Sequence, residues 1–270
     1  VKKMRRCLVI VGRPENAEEM LNFVSGIAAR LQPDCIDFMG LREPPGDGLS
    51  LLTESSTVLL REDQADWAEA WRARVNLWRQ NLYQAVTDGI FPEINWLAPE
   101  AKADVIIPVF GRDADLLILN LPQERDTEHQ KQILRSAVFE TGRPLLLVPD
   151  GWRGSCCDNI MLSWKQSDCA RRAFEASRPL LAGAAVHVLV NGEDPWPYDI
   201  MPEVNVTDVR VVRLSSPTAA GATILGEARR WQADLIVMGG YKHAALHNRL
   251  VSSTTGYVLH NSVLPVFLQH

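Results

Sequence analysis

Residues 233–269 read ADLIVMGGYKHAALHNRLVSSTTGYVLHNSVLPVFLQ. The apolar run ADLIVM ends in a glycine pair and reads as a buried strand opening into a turn. The Ser/Thr cluster that follows has the chemistry of a helix start, and PVFLQ closes the stretch as a second apolar strand. A strand buried on both faces, then a helix, then another such strand is the pattern of a parallel sheet covered by helices.

The same object occurs earlier in the chain. ADLLI (114–118) returns as ADLIV (233–237), and RPLLLVP (143–149) returns in outline as LPVFLQ (264–269). Both pairs stand about 120 residues apart, so the repeated object is a multi-strand unit.

Between these anchors the pattern predicts strands at 6–11, 35–41, 94–97 and 145–148 and helices at 15–31, 60–87, 100–111 and 127–141 in the first half. In the second half it predicts strands at 159–164, 185–191 and 209–214 and helices at 168–181, 217–231 and 253–261. The long helix at 60–87 carries Trp67, Trp71, Val75, Trp78 and Leu82 on one face, a seam suited to core or interdomain packing. The segment 192–205 is too short and proline-broken to hold its counterpart.

Composition excludes several classes. At 270 residues, 46% hydrophobic and 23% charged, the chain has the make-up of a globular protein. Its net charge of -5 gives no global attraction to nucleic acid or anionic membrane. No apolar run is long enough to span a bilayer, and the start VKKMRRCLVIVGRPE reads as a basic tip before a core strand; the expected location is the cytoplasm.

The five cysteines have no CxxC spacing. Cys7 and Cys35 fall in strand patterns and read as core. Cys156 and Cys157 sit in the polar stretch DGWRGSCCD, with no further ligands nearby in sequence. His243 and His247 lack an HExxH context and read as surface residues, and the chain contains no GxSxG, full P-loop or GxGxxG motif.

The stretch 233–269 closely resembles the last third of a universal stress protein domain, and ADLLI with FETGRPLLLVP resembles the same region of a more divergent copy. The resemblance implies a tandem universal stress protein of α/β class: two Rossmann-like units, of the adenine nucleotide alpha hydrolase-like type. Each would be a five-stranded, mostly parallel sheet flanked by helices. The units are expected at 1–150 and 158–270, paired within the chain through their fifth strands, 145–148 and 266–269.

The resemblance also implies a nucleotide loop after the fourth strand, built on three glycines and a hydroxyl residue. Those positions fall on Gly239, Lys242, Ser252 and Ser253, so only the first glycine is kept. Glycine there lets backbone N–H groups approach phosphate. Where the family places an acidic residue after the first strand, this chain has Lys165, directly after Trp164. With Thr254 at the helix start, the candidate ligand-binding residues are Trp164, Lys165, Gly239, Lys242, Ser252, Ser253 and Thr254. Lys242, Arg249 and the helix start would favour an anion. The corresponding first-half loop, NLPQERD, places Glu124 and Asp126 where phosphate would sit.

The expected function is that of a noncatalytic stress-response protein acting through conformation or partner contacts, without a resident cofactor. One alternative is a switch binding ATP or another small anion in the second unit; another is a small-molecule enzyme on the same fold. A homodimer and a protein partner are the expected associations, with neither nucleic acid nor membrane.

Overall fold

The computed structural model describes residues 4–12, 17–41, 92–99, 101–192, 204–212, 216–240 and 253–270, with scattered helical positions between 66 and 80. In chain order the elements are β1 (Arg6–Val11), α1 (Ala17–Leu31), β2 (Cys35–Gly40), β3 (Glu93–Leu97), α2 (Ala103–Asp113), β4 (Leu116–Asn120), α3 (Glu128–Glu140) and β5 (Leu145–Val148). Then follow β6 (Asn159–Trp164), α4 (Asp168–Leu181), β7 (Ala185–Asn191), β8 (Val206–Val212), α5 (Pro217–Arg230), β9 (Leu235–Gly239), α6 (Thr254–Asn261) and β10 (Val266–Gln269).

The expected pair of five-stranded sheets is instead one continuous ten-stranded sheet, ordered β3-β2-β1-β4-β5-β10-β9-β6-β7-β8. Within each half every pairing is parallel. The halves meet where β5 and β10 run antiparallel, with Phe267 opposite Leu146. Joining the two end strands satisfies backbone groups that two separate sheets would each leave as an open edge.

Helices cover both faces, and each core layer runs across both halves. One layer joins Val9, Phe38 and Val148 to Phe174, Leu181 and Phe267; the other joins Leu117, Ile107 and Val138 to Ile236 and Leu268. Ion pairs Arg153–Glu19 (2.9 Å) and Arg30–Asp158 tie the connector between the halves to α1.

The repeated ADL motif has a structural cause. Asp115 Oδ2 accepts from the backbone N–H groups of Arg5 (2.9 Å) and Arg6 (3.2 Å) at the start of β1. Asp234 accepts from Cys157 (2.9 Å), Asp158 (2.8 Å) and Asn159 (3.2 Å) at the start of β6. Each aspartate thus holds the neighbouring strand in register. Because it does so from a turn, β4 and β9 begin at Leu116 and Leu235 rather than at 114 and 233.

Four helices begin at hydroxyl caps, Thr127, Ser167, Ser216 and Ser253, each accepting from the backbone N–H three residues on. A third strand starts away from its predicted position: β8 begins at Val206 rather than 209, while 213 and 214 lie outside the described residues. The shift follows from pairing with β7, which begins where the Val186 N–H donates to Asn205 O at 3.0 Å. Of the tryptophan seam, Val75 is buried, while Trp67, Trp71, Trp78 and Leu82 lie outside the described residues. So does most of 192–205.

Candidate functional site

In each half the connections after the first and fourth strands leave toward opposite faces: β1 to α1 and β4 to α3, β6 to α4 and β9 to α6. The carboxyl ends of such neighbours border a crevice, the usual ligand position in open α/β sheets.

The first crevice is bridged by its own side chains. Thr127 and Gln130 form a capping box at the start of α3: the Gln130 N–H donates to Thr127 Oγ1 (3.2 Å), and Gln130 Oε1 accepts from the Thr127 N–H (2.9 Å). Thus oriented, Gln130 Nε2 reaches across to donate to Gly12 O (3.1 Å) beyond the end of β1. The loop after β4 is folded on itself, with the Gln123 N–H donating to Asp126 Oδ2 (2.8 Å) and Gln123 Nε2 to Asp150 Oδ2 (2.5 Å). Among the described residues, Ile10, Gly12, Asn120 and Asp126 border a cavity of about 30 Å³ at this end of the sheet.

The second crevice differs. β6 and β9 pair with Ser163 opposite Met238, which brings Trp164 and Gly239 to the same level. Trp164 is buried in the core layer shared with α4, whereas Lys165 and Gln166 are exposed. A side chain at Gly239 would place its Cβ 2.7 Å from the Ala170 backbone nitrogen, in the first turn of α4. The glycine read as a phosphate-loop residue therefore also allows a helix to pass against the strand end.

Ser253 caps α6 by accepting from the Gly256 N–H at 2.9 Å, and Thr254 Oγ1 donates to Pro217 O at 3.2 Å, fastening α6 to the start of α5. Lys242 and Ser252 lie outside the described residues, as do His243, His247 and Arg249. The structure thus juxtaposes Trp164, Lys165 and Gly239, and it places Ser253 and Thr254 at the head of the helix leaving the same loop.

A wider groove of about 560 Å³ lies at the seam between the halves, lined by Pro122, Glu124, Asp150, Trp152, Arg153 and His260 among others. His260 Nδ1 lies 2.9 Å from Gly256 O. A carbonyl only accepts, so Nδ1 is the donor of this bond. Neither Gln130, the seam groove nor the aspartate clamps were among the site residues expected from the sequence. The Thr127-x-x-Gln130 capping signature and the duplicated ADL motif were the signals that could have marked two of them.

Other chemistry is sparse among the described residues. No group of three or more His, Cys, Asp or Glu is placed to hold a metal ion. Burial pushes the Cys7 thiol to about 12 and, together with nearby Asp37, the Cys35 thiol to about 11, so neither is a ready nucleophile at neutral pH. No described helix is long and apolar enough to cross a membrane.

The C-terminal crevice is also where a family likeness appears. Residues 202–269 match the model of the universal stress protein family. The chain's structure is similar to that of a universal stress protein from Archaeoglobus fulgidus DSM 4304, at TM-score 0.72 and 17% identity, covering 98% of this chain and 95% of that one. It is likewise similar to a functionally unknown protein from Pseudomonas aeruginosa PAO1, at TM-score 0.60 and 14% identity, covering 98% and 92%. At such identities the structural likeness shows the universal stress protein fold alone. No curated protein matches the sequence.

Proposed function

We propose that this chain is a noncatalytic tandem protein of the universal stress protein type, with units at 1–150 and 158–270, acting in stress response through conformation and partner contacts. The observation that carries the reading is the first crevice, where Gln130 bridges to Gly12 beside a cavity of about 30 Å³. A nucleotide seated between Gly12 and the start of α3 would have to displace that bridge. The seam groove, open and lined from both halves, supplies a surface on which a protein partner could read their arrangement.

A second reading keeps anion binding in the second half, where Lys165 is exposed beside Gly239 and Ser253 starts a helix from the same loop. A helix start and a cation together favour a phosphate. In that reading Lys165, Gly239, Lys242, Ser252, Ser253 and Thr254 hold ATP or a smaller anion, and Trp164 backs the crevice.

Native mass spectrometry of the full chain with and without Mg-ATP separates the two. The first reading expects no mass retained per chain at millimolar nucleotide. One nucleotide retained per chain, and lost in Lys165→Ala, would establish the second.

A further inference from the structure

In an extended backbone the side chains of adjacent residues point to opposite sides, which keeps neighbouring cysteines apart. At Cys156–Cys157 the backbone does the reverse. Cys157 has φ of 73°, the left-handed region that residues with a Cβ seldom occupy. This turns both thiols to one side and brings the sulfurs to 3.1 Å. The arrangement is held from outside the turn, since Asp234 accepts from the N–H groups of Cys157, Asp158 and Asn159 while Asp158 pairs with Arg30. Cys157 is fully buried and Cys156 only partly so, which makes Cys156 the more accessible of the two.

We propose that Cys156 and Cys157 form a thiol modification site that a small disulfide oxidises to a vicinal disulfide. The Cys156 thiolate attacks one sulfur of the reagent, breaking its S–S bond and expelling one thiolate. The Cys157 sulfur, giving up its proton, then attacks Cys156 in the mixed disulfide and expels the second thiolate. The protein loses two electrons and two protons, and the reagent becomes two thiols. The second step needs no solvent access to Cys157, because its target lies beside it. Closing from 3.1 Å to the S–S length of about 2.05 Å displaces the turn that links the halves. The site is a two-sulfur one, since among the described residues no third ligand completes a metal set.

The contact with Cys157, together with burial, raises the Cys156 pKa, so its thiolate is scarce and exchange is slow; it is followed for hours at alkaline pH. The full chain is incubated with oxidised glutathione, acid-quenched, unfolded, alkylated and cut with trypsin. The peptide Gly154–Lys165 contains both cysteines and no other. The expected product is this peptide lighter by two hydrogen atoms and unalkylated, restored by dithiothreitol, with Cys157→Ser arrested as the glutathione mixed disulfide on Cys156. Closure is expected to be several-fold more complete in the folded chain than in urea. A doubly alkylated peptide, a mixed disulfide that persists in the wild type, or equal closure in urea would each overturn the proposal.

Discussion

At Asp234 one side chain accepts from three consecutive backbone amides, and at Asp115 the same position in the other half accepts from two. Hydrogen bonds to a charged acceptor contribute about 1.5–3 kcal/mol, and buried amides left without one add their desolvation. Asp234→Ala is expected to lower urea stability by about 2–3 kcal/mol, and Asp115→Ala, whose bonds are exposed, by about 1 kcal/mol. Because they lie in opposite halves, the double variant should sum the single effects to within about 0.5 kcal/mol. Loss confined to one site would mean that the repeated motif serves only one half. His187 makes a different residue-level prediction. It stacks on Trp231 at 5.1 Å, and its Nε2 bonds Asn159 Oδ1 at 2.8 Å. Burial lowers its pKa, against an opposing pull from Asp208. The unfolded chain then binds the proton more readily, so this contribution is present above the ordinary histidine value of about 6.5 and is lost as pH falls through the lowered one. Melting curves should show His187→Gln losing less stability than wild type between neutral pH and pH values below that range; parallel profiles would refute the assignment.

The start of α4 stands against the end of β9 because Gly239 has no side chain. Gly239→Ala must move backbone at Ala170, 2.7 Å from the new Cβ, and is expected to cost about 1–3 kcal/mol. Faster amide exchange in the first turn of α4 would accompany it, whereas a glycine needed only for loop freedom would leave α4 unchanged. In the first half, Gln130→Ala removes both the bridge to Gly12 and one arm of the capping box, with an expected loss of about 1 kcal/mol. These elements were largely legible beforehand. Apolar runs such as LLLV and NIMLSW are buried on both faces, and their bounds follow from pattern alone. Ser167 and Ser253 announce their helices by cap chemistry. The misplacements have local causes: β8 takes its start from bonds to β7, and β4 and β9 start late because their aspartates serve the adjacent strand. The bridged crevice was hidden because Gln130 acts on Gly12, far away in sequence, and periodicity carries no information about such a reach.

Across the whole molecule, both core layers pass through the seam, so the halves are expected to unfold together. Calorimetry should give a single transition whose van't Hoff and calorimetric enthalpies agree; two resolved transitions would mean that the shared layers contribute little. Separating the halves exposes β10 along the edge that now meets β5. A chain of residues 158–270 alone is expected to associate through that strand, which light scattering after gel filtration would show as a dimer; a monomer would overturn the expectation. The seam has one more consequence. Two identical subunits joined at the same edge would carry every substitution twice, once in each crevice. Here the halves share one sheet and one chain but not one sequence, so a change such as Gln130 can bridge one crevice and leave its counterpart at Lys165 and Gly239 untouched. The covalent join frees the two sides to specialise while fixing their ratio at one to one, with no free subunit to exchange.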